Sequence, residues 1–157
     1  MVSQTEYKRK FLVVIDETPE CERALTFAAY RVKRTGGTVV LMSVIQKPEF
    51  IGLGVEDVLR AEAVEEAERN LDARLARIRD IGDVRSESVI REGNAAEEIE
   101  RVIDQDQGIA ILVLAASTSA EGPGPLVMHF AGRANALPIP LTVVPGRMSD
   151  EEIIAVC

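Results

Sequence analysis

The chain has 157 residues, 46% of them hydrophobic and 28% charged, which suits one domain with a buried core and is too apolar for a disordered segment. Eighteen Lys and Arg against 26 Asp and Glu leave a net charge of -8, which disfavours nucleic acid and anionic membranes as partners. With no tryptophan and 4% aromatics, the core must be aliphatic. No apolar run approaches the roughly 20 residues of a membrane span. The polar stretch 1–10 carries no export signal, and Cys21 and Cys157 stand far apart, so a reducing cytoplasm is the expected location. His129 is the one histidine, so a His pair on a metal is excluded by counting.

Residues 10–16 form a continuous β-branched run, expected to be a strand covered on both faces. Thr18 is the expected N-cap of the next helix, with Pro19 at its first position and Glu20 at the positive end of its dipole. Cys21, Ala24, Leu25, Ala28 and Val32 share one apolar stripe, and Gly36 and Gly37 end it. A second buried strand spans 38–45. A loop with Pro48, Gly52 and Gly54 precedes the longest helical pattern, whose seam is Val64, Ala67, Leu71, Leu75 and Ile78. Its Glu65, Glu66, Arg69, Asp72, Arg77 and Asp80 are expected to face water. A third strand spans about 85–91. Asn94 and Glu97 then have capping-box spacing before a short helix with Ile99, Val102 and Ile103 inward. Residues 109–115 form the most apolar strand, expected at the sheet centre. A small-residue loop, 117–124, leads to Pro125 and a short helix with Leu126, Val127, Phe130 and Ala131 as its apolar residues. Pro138 and Pro140 place a fifth strand, 141–144, at a sheet margin. Ser149 and Glu152 have capping-box spacing before a terminal helix with Ile153, Ile154 and Val156.

Strand and helix patterns alternating in this way predict an α/β fold, a doubly wound parallel sheet with helices on both faces. Ligands of such sheets lie beyond the carboxyl ends of strands where the strand order reverses, here at 16–18 and 115–124. Asp16 is the best single candidate, either as an acceptor for a ligand or as a carboxylate that caps its own turn or the next helix. Ser117, Thr118 and Ser119 offer hydroxyls to a phosphate, or form an ordinary solvated loop. His129 and Arg133, four apart, either meet an anion or stand as an exposed polar pair. Cys21, on an apolar stripe, reads as buried and inert. Asp16-Glu17-Thr18 has the look of an aspartyl-phosphate nucleophile, but that chemistry needs further metal ligands and a positioned lysine, and no lysine follows Lys47.

Phe11-Leu12-Val13-Val14-Ile15-Asp16-Glu17-Thr18, followed by Glu22-Arg23-Ala24-Leu25, resembles the opening of the universal stress proteins. Met42-Ser43-Val44-Ile45 is similar to their second strand. Glu92-Gly93-Asn94-Ala95-Ala96-Glu97-Glu98-Ile99 is similar to the Gly-x-Pro/Ala-x-x-x-Ile stretch that leads into their third helix. Ile111-Leu112-Val113-Leu114 and the late 137–144 stretch resemble strands four and five. The likeness covers about 10–145 and leaves 146–157 as a helical extension of the same domain. It implies a flavodoxin-like, adenine-nucleotide-alpha-hydrolase-like layout of five strands in the order 3-2-1-4-5. It also implies a non-enzymatic stress-response role and a homodimer paired through strand 141–144. That strand, a proline-marked edge, is a liability unless covered, and Ile153, Ile154 and Val156 are expected to seal the same interface.

One branch of the family binds ATP with an Asp after strand one, backbone at the end of strand two and a glycine loop after strand four. The matching positions are Asp16, Val44 and the loop holding Ala115, Ala116, Ser117, Thr118, Ser119, Gly122 and Gly124. That branch's loop reads Gly-x2-Gly-x9-Gly-Ser/Thr, because phosphate oxygens must reach backbone N–H groups without an intervening Cβ. Starting at Ala115, the three glycine positions are Ala115, Thr118 and Met128; starting at Ala116, they are Ala116, Ser119 and His129. Gly122 and Gly132 keep the nine-residue gap, but too far past the strand, and Arg133 follows where a hydroxyl belongs. The expectation is therefore a dimeric binding or regulatory module with no cofactor and no metal. The alternatives are an ATP- or AMP-binding protein using Asp16, Val44 and 115–133, and an aspartyl-phosphate phosphotransfer protein.

Overall fold

The computed structural model describes residues 9–47 and 54–157; Pro48 and Gly52 of the expected loop lie outside the described residues. Among the described residues ten elements alternate: β1 (Lys10–Val14), α1 (Cys21–Thr35), β2 (Thr38–Ile45), α2 (Val55–Ile81), β3 (Arg85–Glu92), α3 (Ala95–Gln105), β4 (Ile109–Ala116), α4 (Pro125–Gly132), β5 (Leu141–Pro145) and α5 (Asp150–Val156). The five strands pair in parallel in the order β3-β2-β1-β4-β5, the architecture and order expected.

The period-2 alternation of a strand sends neighbouring side chains to opposite faces. Phe11, Val13, Val39, Leu41 and Val113 pack with α1, with Leu71 and Ile78 of α2 and with Ile153 of α5. Leu12, Val14, Val40, Met42, Leu112 and Leu114 pack on the other face with Ile99, Val102 and Ile103 of α3 and Val127 and Phe130 of α4. β1 holds the middle of the sheet, whereas β4, expected there, adjoins the edge strand β5. Both strands have a neighbour on each side and helices on each face, so their hydropathy does not rank them. At the margins, the first half of β3 is exposed, and Val143 of β5 is 37% exposed.

Local chemistry corrects several expectations. α1 starts at Cys21, with Glu20 at the cap position and no side-chain cap bond, so Thr18 does not cap it and Pro19 is not its first residue. Thr18 folds back instead: its N–H donates to Asp16 Oδ1 at 2.8 Å, and its hydroxyl donates to the same oxygen. The competing local turn takes the residue away from the helix. Arg77 faces water only in part. Its Nη2 donates at 2.7 Å to Thr26 Oγ1, a fully buried residue, and its Nε lies 3.2 Å from Glu22 Oε2. The residue borders the α2 seam, and its long stem carries the guanidinium back over the apolar surface. Ala131 is exposed, and α4 is anchored by Val127 and Phe130.

The α5 capping box forms in both directions, with Glu152 N–H on Ser149 Oγ at 3.1 Å and Ser149 N–H on Glu152 Oε1 at 3.3 Å. Ile153, expected at an intermolecular interface, is fully buried in the chain's own core, while Val156 is 58% exposed. Among the described residues, no helix is long and apolar enough to cross a membrane.

Arg77→Met should destabilise the fold by about 1–3 kcal/mol, because the Thr26 hydroxyl is left buried without that donor. Thr26→Val in the same background should recover part of the loss. Urea unfolding of the two singles and the double, read as a cycle, checks this; strict additivity would reject the pairing.

Candidate functional site

A cleft of about 760 Å³ opens beyond the carboxyl ends of β1, β2 and β4, where the chain leaves one side of the sheet and resumes on the other. Val14, Asp16, Thr18, Glu20 and Cys21 form one wall, Val44, Gln46 and Lys47 the next. Gly93, Asn94, Ala95 and Ala96 bring the start of α3, and Leu114, Ala115, Pro123, Gly124 and Pro125 bring the end of β4 and the start of α4, with His129 behind them. Of the residues expected from sequence, Asp16, Val44, Ala115 and Gly124 line this cleft. Ala116, Ser117, Thr118, Ser119 and Gly122 are outside its lining.

β1 is extended by the Ile15 N–H, which donates to Met42 O at 2.7 Å and delivers Asp16 to the cleft mouth. There Asp16 makes the local turn described above, so its carboxylate is oriented by Thr18 before any ligand arrives. The loop after β4 is likewise closed on itself. Ser117 N–H donates to Pro123 O at 2.9 Å, and Ser119 N–H to Ser117 Oγ at 3.1 Å. Glu121 N–H donates to Ser119 Oγ at 3.2 Å and Gly122 N–H to Ser119 O at 3.3 Å. Pro123 and Pro125 have no N–H to give. Gly124, at φ +103°, makes the turn into α4 that a side chain would strain.

The family profile of the universal stress proteins matches residues 8–145, nearly the whole chain. The chain belongs to the universal stress protein family. The universal stress protein UspA from Lactobacillus plantarum shares 19% identity at a TM-score of 0.72, over 88% of this chain and 98% of that one. A universal stress protein family protein from Arabidopsis thaliana with AMP bound shares 16% identity at 0.61, over 91% and 94%. The universal stress protein from Archaeoglobus fulgidus in complex with dAMP shares 16% identity at 0.60, over 88% and 98%. No curated protein matches in sequence.

In this universal stress protein, the cleft residues that sequence reasoning missed include those at the start of α3, together with Gln46 and Lys47. Gly93–Ala96 was legible as a helix start, and the rule that ligands lie at strand ends near helix starts was the signal that could have added it. His129 Nε2 lies 3.5 Å and Arg133 Nη2 3.8 Å from Glu100 Oε1 of α3, so the pair meets a carboxylate of its own chain. Cys21 lines the cleft as a buried thiol donating to Asp16 O at 3.6 Å; burial pushes its pKa up, so it is held as the thiol rather than the nucleophilic thiolate. Among the described residues, no group of three His, Cys, Asp or Glu is placed to hold a metal ion.

Beside the start of α3, Arg60 grips Glu92 with two bonds, Nε to Oε2 at 2.6 Å and Nη2 to Oε1 at 3.2 Å. The hydrogen bond from Arg60 is the main reason that the Glu92 pKa falls below its usual 4.5. A lowered folded pKa means that this fork stabilises the fold above about the unfolded value and fades as pH falls through the folded one. The melting temperatures of the wild type and Glu92→Gln should therefore differ at neutral pH and converge below pH 4.5. Parallel curves down to the acid limit would reject the fork.

Proposed function

We propose that this chain is a non-enzymatic, cytoplasmic binding module of the stress response that works as a homodimer and takes a small ligand in the cleft without gripping a triphosphate. One observation carries this reading: the amides of Ser117, Ser119, Glu121 and Gly122 in the loop after β4 donate to the loop's own oxygens, and its two prolines donate nothing. A triphosphate needs a row of uncommitted N–H groups, and Glu121 adds like charge to the same loop. The dimer is supported by the bare edge of β5, where Val143 is exposed and a second copy would satisfy the unpaired strand.

A second reading is adenosine monophosphate binding in the same cleft. It is favoured by the AMP and dAMP complexes of relatives with this fold. The cleft volume also lies within the roughly 300–1,000 Å³ range of small-molecule sites. In this reading Asp16, with Oδ1 held by Thr18, accepts from a ribose hydroxyl through Oδ2, and Ala95 and Ala96 leave room for a base or phosphate.

Mass spectrometry of the purified protein should find no retained ATP, and calorimetric titration with ATP should give no stoichiometric binding. ATP carried through purification against residues 115–133 would overturn the first reading. AMP titration with the wild type and Asp16→Asn decides the second: binding that weakens about tenfold or more in the variant supports it, as expected for a lost hydrogen bond to a charged acceptor.

A further inference from the structure

The match to the family ends at Pro145, and the chain beyond it packs against the loop that follows β4 and against α1. Directly after β5, Gly146 is wedged against the loop that follows β4: a Cβ there would collide with the Ala116 carbonyl oxygen. That Cβ would also lie 3.1 Å from Thr118 Cγ2 and 3.3 Å from Cβ of Glu20, a cleft-lining residue at the start of α1. Residue 146 is thus sandwiched between the two loops that frame the switch point. The next residues are fastened to α1. Arg23 Nη1 donates to Met148 O at 3.1 Å and lies 2.7 Å from Asp150 Oδ1, while Arg77 Nη2 of α2 approaches Asp150 Oδ2 at 3.6 Å. Ile153 fills the core on this face, Arg34 Nη2 donates to Ile154 O at 3.3 Å, and Cys157 Sγ donates to Phe27 O at 3.5 Å.

We infer that residues 146–157 are a C-terminal latch that sets the spacing of the two cleft loops from outside the cleft. None of these residues lines it. The latch works through position: α5 is held on α1 by the Arg23–Asp150 pair and by Ile153, and this holds Gly146 between Ala116 and Glu20. If α5 lifts, Gly146 is no longer held in place, and the loop after β4 loses its outer support. A mere cover over the α1 face would not need the close approach at Gly146, nor the Arg23 bond to the strap itself.

The test is amide hydrogen exchange on the full chain without ligand, comparing the wild type, Asp150→Asn and a chain ending at Met148. Exchange in 16–20 and 116–124 should rise about tenfold in the shortened chain and severalfold in Asp150→Asn, while β2 and β3 stay unchanged. Val156→Ser, at an exposed position of α5, should leave all of these amides as they are. Loop exchange that stays at the wild-type rate while only α1 amides quicken would overturn the latch and leave α5 as a cover. Should the shortened chain fail to fold, Asp150→Asn, a surface substitution, decides the matter alone. The functional arm rests on the monophosphate reading: AMP affinity should weaken in step with loop exchange. Exchange is read without AMP, so failure of that reading and failure of the latch are separate results.

Discussion

Two-sided burial of the inner strands is the constraint from which the rest of the molecule follows. Leu12 and Val14 face one helical layer, Phe11 and Val13 the other, and all four are buried. A strand of that kind cannot sit on a sheet with a wet face, so helices must cover both sides and each crossover must return in parallel. The chain builds outward from β1 to β3, then jumps back to β4, and this reversal leaves the crevice that holds Asp16, Val44, Ala115 and the start of α3. The cleft is therefore a by-product of burying aliphatic strands.

Within that crevice the decisive chemistry is a competition for backbone amides. An N–H group at a strand end must find a partner in the protein, in water or in a ligand. Here the hydroxyls of Ser117 and Ser119 and the carbonyls of Ser119 and Pro123 take four of the loop's amides, and proline removes two more. Glycines with open amides would present the same segment to phosphates.

Charges tie the sheet at both ends and link the added C-terminal helix to it. At the amino end, Lys10 Nζ lies 2.9 Å from Asp106 Oδ2 and 3.0 Å from Glu87 Oε2, joining β1 to β3 and to the turn before β4. The Asp106 bond raises the lysine's pKa more than any other contact. Burial pushes the Asp106 pKa up, yet the hydrogen bonds from Lys10 and the Gly108 N–H outweigh it and hold it below its usual value. At the carboxyl end, the Arg60–Glu92 fork fixes the shoulder of the cleft. On the outer face, Glu22, Arg23, Arg74, Arg77 and Asp150 join α1, α2 and α5 around the buried Thr26 hydroxyl.

Fold class, strand count, the helix seams and both capping signals were legible in the residues, because hydrophobic period and cap chemistry act within a few positions along the chain. The failure of the glycine pattern after β4 was legible for the same reason, since it is a matter of spacing. Thr18 was misread because an Asx turn and an N-cap draw on the same residue types, and only the backbone path shows which one forms. Arg77 was only half legible because periodicity places a Cα on a helix face and says nothing of where a long side chain can reach. The start of α3 joined the cleft, and Ile153 joined the chain's own core, through contacts between segments far apart in sequence, such as the Gly93 N–H on Ile45 O and Cys157 against Phe27. Local pattern determines what each segment is; which segments meet depends on how all the apolar faces are buried together, and that is settled only in three dimensions.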